Sequence, residues 1–207
     1  MLLADDHEVV RAGFRRLLEQ KPGIRVVAEA ASGEDAYRCV AECQPDVTVL
    51  DLTMPGMGGL EALRRIVGRD KEARVLVFSM HETVAFARQA MKTGARGYVT
   101  KASAAEVLVD AVREVAQGRT YVSPDIARKI ALETVADDRD PLASLSAREF
   151  EVLRFLAEGR STDEIAATLF ISTKTVANTA SQIRQKLGVT SPVELVRLAL
   201  KHGLVRE

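Results

Sequence analysis

The chain has 207 residues, and 29 Lys+Arg against 29 Asp+Glu leave it with no formal net charge. That length suits one large domain or two small ones, and 47% hydrophobic residues provide a real core for either. No apolar run is long enough to span a bilayer and the N-terminus has no signal-peptide pattern, so the expectation is a soluble, cytoplasmic protein with no membrane role.

The charge is not evenly spread. Residues 1–117 carry 16 basic and 17 acidic groups, residues 118–143 carry 4 and 5, and residues 144–207 carry 9 and 7. The small basic surplus at the C-terminal end permits nucleic-acid binding there without requiring it.

In chain order, short apolar runs alternate with amphipathic stretches. Leu2-Leu3-Ala4 is a strand stub and Val9 to Leu18 has helical spacing. Ile24 to Ala31 reads as a strand, Glu34 to Cys43 as a helix, and Val47 to Leu50 as the next strand. Gly59 to Val67 is helical and Arg74 to Phe78 a strand. Thr83 to Met91 is helical, Gly97 to Val99 a strand, and Ala104 to Ala116 helical. Strand and helix alternating at such intervals predict an α/β doubly wound, flavodoxin-like domain with a five-stranded parallel sheet. Cys39 and Cys43 lie one turn apart on a predicted helix and read as small packing residues, since a metal site would need further ligands near them.

After Gly118 the pattern changes. Ser123-Pro124-Asp125 opens a helix running to about Val135. Asp137-Asp138-Arg139-Asp140-Pro141 is a polar break. Four capped helices follow, opening at Ser146, Ser161, Ser172 and Ser191. Gly159 ends the first, Gly188 the third, and the last runs to about His202. We therefore expect residues 1–117 to form the α/β domain, 118–144 a linker containing a helix, and 145–207 a small all-α four-helix domain.

Four strands each deliver a polar group at the C-terminal end: Asp5-Asp6, Asp51, Ser79 and Lys101. In an open parallel sheet that edge is where ligands bind. Asp6 and Asp51 can ligate a hard divalent cation directly, Asp5 can hold a coordinated water, and the Thr53 carbonyl can add an oxygen. Mg2+ (or Mn2+) would relieve the repulsion among the carboxylates and neutralise an incoming phosphoryl group. Asp51 is placed to act as nucleophile, with Lys101 and Ser79 positioned for phosphoryl oxygens. His7 reads as an exposed residue at a helix start rather than as a ligand.

These residues, with Met54-Pro55-Gly56 and Gly97-Tyr98, resemble the receiver domain of bacterial two-component response regulators over residues 1 to about 117. The resemblance implies that Asp51 accepts phosphate from a histidine kinase. It implies that Ser79 and Tyr98 move when it does, remodelling the face made by residues 83–116. Thr53 and His81 then stand where the family tunes access of water to the phosphoryl group.

Residues 145–204 resemble the LuxR-type helix-turn-helix of NarL/FixJ response regulators. The matching stretches are Leu145–Glu149, Leu156–Gly159, Glu164–Ala166, Ile171–Val176 and Lys186–Val189. The linker Tyr121–Pro124 and the tail His202–Val205 look closest to the GacA/UvrY type. The physical reading agrees. Residues 172–187 contain Lys174, Arg184 and Lys186 and no acid. Val176, Ala180, Ile183 and Leu187 form a packing stripe. The opposite face presents Ala177, Asn178, Ser181, Gln182 and Gln185, whose amides and hydroxyls suit base edges. Lys174, Thr175 and Lys186 suit phosphates. Many relatives carry lysine and histidine where Ala177 and Thr179 stand, so those contacts do not carry over.

The leading expectation is a phosphorylation-controlled regulator that binds double-stranded DNA and forms a homodimer when phosphorylated, not an enzyme in its own right. A magnesium-dependent aspartyl phosphatase is disfavoured, because Thr53 stands where such an enzyme needs a general acid. A signalling adaptor whose helical domain binds protein remains the other alternative, separable by the salt dependence of duplex binding.

Overall fold

The computed structural model describes residues 1–134 and 140–205. The first unit is built on β1 (Leu2–Ala4), β2 (Ala28–Ala30), β3 (Thr48–Leu50), β4 (Val75–Ser79), β5 (Gly97–Thr100) and β6 (Tyr121–Val122). They form one parallel sheet in the order β2-β1-β3-β4-β5-β6. The connections are α1 (Glu8–Glu19), α2 (Gly33–Cys43), α3 (Gly59–Arg69), α4 (Val84–Thr93) and α5 (Ala105–Ala116).

Alternation along each strand sorts the side chains to two faces. Leu2, Ala4, Leu50, Val75 and Val77 join the core beneath α2, α3 and α4. Leu3, Val49, Leu76, Phe78 and Val99 join a second core with Leu18 of α1 and the apolar side of α5. Burial on both faces explains why these strands read as short, nearly unbroken apolar runs.

Two sequence expectations need correction. The run from Ile24 pairs only over Ala28–Ala30, because Pro22-Gly23 and the residues after them form turn and extended chain. The sheet has six strands, not five. Tyr121 and Val122 pair in parallel with Gly97 and Tyr98 of β5. A two-residue strand bounded by Arg119-Thr120 and Ser123-Pro124 has no periodicity to detect. It pairs because it lies along the open edge of β5.

Next come α6 (Pro124–Thr134) and a 3-10 turn at Pro141–Ser144. Val135 and Asp137–Arg139, expected to end that helix and begin the polar break, lie outside the described residues. The helical unit is α7 (Ala147–Ala157), α8 (Thr162–Leu169), α9 (Thr173–Leu187) and α10 (Pro192–Lys201). Serine caps every one of these helices. Ser146, Ser161 and Ser191 form capping boxes with Glu149, Glu164 and Glu194, and Ser172 accepts from the Thr175 N–H. Phe170 closes α8 in the left-handed region at φ 51°, where glycine is the usual occupant.

The two units pack together. A continuous core runs from Phe86 of α4 and Leu63 of α3 to Phe150 and Leu153 of α7. Phe150 meets Phe86 edge to face with ring centroids 5.1 Å apart. Lys92 and Gln89 of α4 donate to the Leu145 carbonyl at 3.0 and 3.4 Å, tying α4 to the chain entering α7.

Candidate functional site

Asp5, Asp51, Ser79 and Lys101 all reach the C-terminal edge of the sheet, because each ends or follows a parallel strand. Asp51 is 1% exposed and Asp5 2%. Lys101 Nζ lies between them, 2.5 Å from Asp5 Oδ2 and 2.6 Å from Asp51 Oδ2. The Thr53 N–H donates to Asp51 Oδ1 at 3.1 Å and the His7 N–H to Asp5 Oδ1 at 2.9 Å. Burial raises the Asp51 carboxyl above the usual range, against the pull of Lys101 and the Thr53 N–H. Burial disfavours the charged Lys101 ammonium, but Asp51 and Asp5 outweigh it and hold the group above its ordinary value.

Acidic groups are clustered for a cation. One ligand atom from each of Asp5, Asp6, His7 and Asp51 falls within 4.8 Å of the others. Asp6 Oδ1 is buried and accepts no hydrogen bond, although His7 Nδ1 comes within 2.9 Å. Three carboxylates with one orphaned oxygen fit a hard divalent cation. His7 is exposed at the start of α1, as expected, yet its ring borders the cluster. The cysteines are free thiols, Cys39 half-buried and Cys43 exposed, apart from this cluster.

Ser79 and Tyr98 converge on one residue that sequence reasoning treated only as a gate for water. The Tyr98 hydroxyl donates to the His81 carbonyl at 2.7 Å, and the His81 N–H donates to Ser79 Oγ at 3.2 Å. The His81 ring stacks on Phe86, centroids 3.7 Å apart and 2° from parallel, while its Nε2 lies 3.3 Å from Thr53 Oγ1. Phe86 is the residue that meets Phe150. An unbroken line of contacts therefore joins Ser79 to the helical unit. Tyr98 is fully buried, and that burial raises its phenol pKa. Also missed was Glu34, whose carboxylate accepts from the Met57 N–H at 2.8 Å and fixes the loop after Asp51. Nothing in the sequence marks Glu34 beyond its place in the first turn of α2.

In the helical unit, Val176 and Ile183 are fully buried, Ala180 is buried, and Leu187 is half-buried against the core. The face expected to read bases is open: Lys174, Thr175, Ala177, Asn178, Ser181, Gln182 and Gln185 are all exposed. Thr179 is buried and donates to the Thr175 carbonyl. Lys186 is exposed, and its ammonium pairs with Glu149, 2.8 Å away. The first unit does not cover the reading face. It touches the α8–α9 turn instead, where the Phe170 ring lies over Gly56 of the loop after Asp51.

Comparison with known proteins agrees with this geometry. Residues 1–113 match the response regulator receiver domain, and residues 143–199 match the luxR family of bacterial regulatory proteins. The chain is 39% identical to the response regulator UvrY of Escherichia coli, covering 99% of this chain and 94% of that protein. It is 39% identical to the response regulator GacA of Pseudomonas aeruginosa, covering 99% and 97%. Its fold is similar to that of RcsB from Salmonella enterica serovar Typhimurium bound to promoter rprA in the presence of phosphomimetic BeF3-. That match has a TM-score of 0.71 and 28% identity, and covers 95% of this chain and 96% of the other. No described helix is long and apolar enough to cross a membrane. The chain belongs to the NarL/FixJ family of two-component response regulators, a receiver domain joined to a LuxR-type helix-turn-helix DNA-binding domain.

Proposed function

We propose that Asp51 accepts a phosphoryl group from a histidine kinase and that its phosphorylation controls binding of α9 to operator DNA. The observation that carries this reading is Lys101 Nζ held between Asp51 and Asp5 at the sheet edge where Ser79 ends β4. Asp51 is the nucleophile. Lys101, freed from one carboxylate, pairs with a phosphoryl oxygen, and the Ser79 hydroxyl turns to another. Turning Ser79 removes the acceptor for the His81 N–H, so Tyr98, His81 and Phe86 shift together against Phe150. Asp6, Asp51 and the Thr53 carbonyl, with Asp5 through a water, would hold a magnesium ion, which when bound would neutralise charge at the transferring group. No activity beyond assisting its own phosphorylation and dephosphorylation is assigned. The receiver and the DNA-binding domain are joined through residues 118–144, of which Tyr121 and Val122 complete the receiver sheet.

The metal assignment has a direct test. Asp6→Ala is expected to weaken magnesium binding more than Asp5→Ala, because it removes a direct oxygen ligand rather than one acting through water. Titration of the two variants giving the reverse order would exchange their roles.

The output reading rests on the open face of α9. Asn178 and Ser181, with Gln182, face the base edges, while Lys174 and Thr175 meet phosphates at the start of the helix. Asn178→Ala should cost about 1–3 kcal/mol on the true operator and little on random DNA. Lys186→Ala should weaken all sequences alike and reduce the salt slope by about one, because its ammonium leaves Glu149 to neutralise a phosphate on binding. With the Phe170 turn against Gly56, the receiver stands beside the N-terminal end of α9 and crowds a duplex there without covering the reading face. Phosphorylation should therefore raise DNA affinity and favour a two-fold dimer on paired half-sites. Binding by gel shift and mass by sedimentation test this. An unchanged monomer with unchanged affinity would refute the scheme.

A further inference from the structure

Glu151 is a buried acid that neither the phosphorylation chemistry nor the DNA face uses. Its side chain is 6% exposed and lies where α7 meets the start of α3. It rests directly on Gly58. A Cβ on Gly58 would lie 2.2 Å from Glu151 Oε1, and the φ of +74° at Gly58 is a backbone conformation that favours glycine. Gly58 closes the loop that starts at Asp51. The output domain thus touches the phosphoacceptor loop through a carboxyl group.

The groups facing that carboxyl do not neutralise it well. On its own helix, Arg148 Nη1 is 3.4 Å away, while Arg154 is committed to Glu158 at 2.6 Å. From α3 comes another acid, Glu61, whose oxygens are already taken by Arg64 and Arg65. The loop from Leu52 to Gly58 presents no titratable side chain. Glu34 of α2, beside Gly56, adds a third carboxylate to this surface. A carboxylate in such a place is under-compensated, and the neutral form relieves the cost.

We propose that docking of the output domain on the receiver takes up a proton at Glu151, so that the docked arrangement is favoured as pH falls and undocking releases the proton. Burial pushes the docked carboxyl up to about 7, against Arg148 and Arg154 and with help from Glu61. Undocked and facing water, it returns toward the ordinary glutamate value of about 4.3. The docked state binds the proton more tightly, so its advantage is complete below the undocked pKa and is lost as pH rises through the docked one. Between about pH 6 and about pH 8 the docking equilibrium should fall about tenfold. Phosphorylation and intracellular pH would then act on the same contact from two sides.

The test uses the full chain, unphosphorylated. Spin labels on exposed Cys43 and on an introduced Gln185→Cys, with Cys39→Ser to avoid double labelling, report docked and undocked distances by pulsed electron resonance. The expected result is about a tenfold change in the docked-to-undocked ratio across that pH range, and a Glu151→Gln variant that stays docked without pH dependence. Persistence of the pH dependence in Glu151→Gln would assign it to another group and overturn the proposal, as would a parent chain that does not respond. A carboxyl-carbon NMR titration of the parent reads the same proton without any substitution, and a Glu151 midpoint in the ordinary range overturns it too. The proposal needs only the docked geometry. Loss of DNA gating with retained pH-linked distances would count against the proposed function instead.

Discussion

Asp51→Asn gains no phosphate when incubated with magnesium and a small phosphodonor, whereas the unaltered chain gains one phosphoryl mass. The reason lies in what the substitution removes. Among the described residues, Asp51 is the only carboxylate at this edge that Lys101 and the Thr53 N–H both address, at 2.6 and 3.1 Å. Burial alone would weaken its anionic form, but the lysine and the backbone donor work to keep it ionised and nucleophilic. An asparagine keeps the shape and loses the nucleophile and one unit of charge. Asp5 and Asp6 remain, so residual phosphate on the variant would show that one of them can substitute. Intact-mass measurement separates the cases, and equal phosphate on both chains would sink the assignment. The variant should also release Lys101 to Asp5 alone, leaving the fold intact, so its thermal transition is the control.

Gly59→Ala is expected to be the most damaging small substitution in the receiver. A Cβ there would lie 2.1 Å from the Asp51 carbonyl oxygen and 2.4 Å from Leu52 Cα. Both obstacles are backbone, so no rotamer change relieves them. The Gly59 N–H also donates to the Leu52 carbonyl at 3.1 Å, stitching the first turn of α3 to the strand end that carries Asp51. Overpacking that a side chain can absorb costs about 1–3 kcal/mol, and a clash against fixed backbone should exceed that range. Gly68→Ala is the matched control in the same helix. Nothing lies within 4 Å of its Cβ, and alanine in this last turn of α3 should add up to about 0.5 kcal/mol of stability. Urea unfolding of the pair measures both signs at once. Equal stability of the two variants would mean that α3 can slide away from β3.

What the sequence made legible was whatever repeats or sits at a boundary. Strand ends place Asp5, Asp6, Asp51, Ser79 and Lys101 by their position in apolar runs, because a parallel sheet brings the same end of every strand to one edge. The serine caps and the Val176–Ile183 stripe are local and equally readable. The illegible part is where two surfaces meet. Phe86 and Phe150 are 64 residues apart and look like ordinary core residues of separate helices. Glu151 sits on α7 like any solvent-facing acid until α3 covers it. Lys186 reads as a free cation, yet Glu149, 37 residues earlier, takes it. No periodicity within either segment encodes such a pairing.

The sixth strand has a consequence for how the chain may be divided. β5 carries Tyr98, and its outer edge is paired by Tyr121 and Val122, with the Ser123 N–H donating to the Tyr98 carbonyl at 2.9 Å. A receiver severed after residue 117 would lose that cover and leave the Tyr98 strand as a bare sheet margin. Such margins recruit strands from neighbouring molecules, so the truncated piece should self-associate through β5 in a way that the whole chain cannot. An oligomer seen with that fragment would be a product of the cut, whereas a boundary beyond α6 keeps the margin closed.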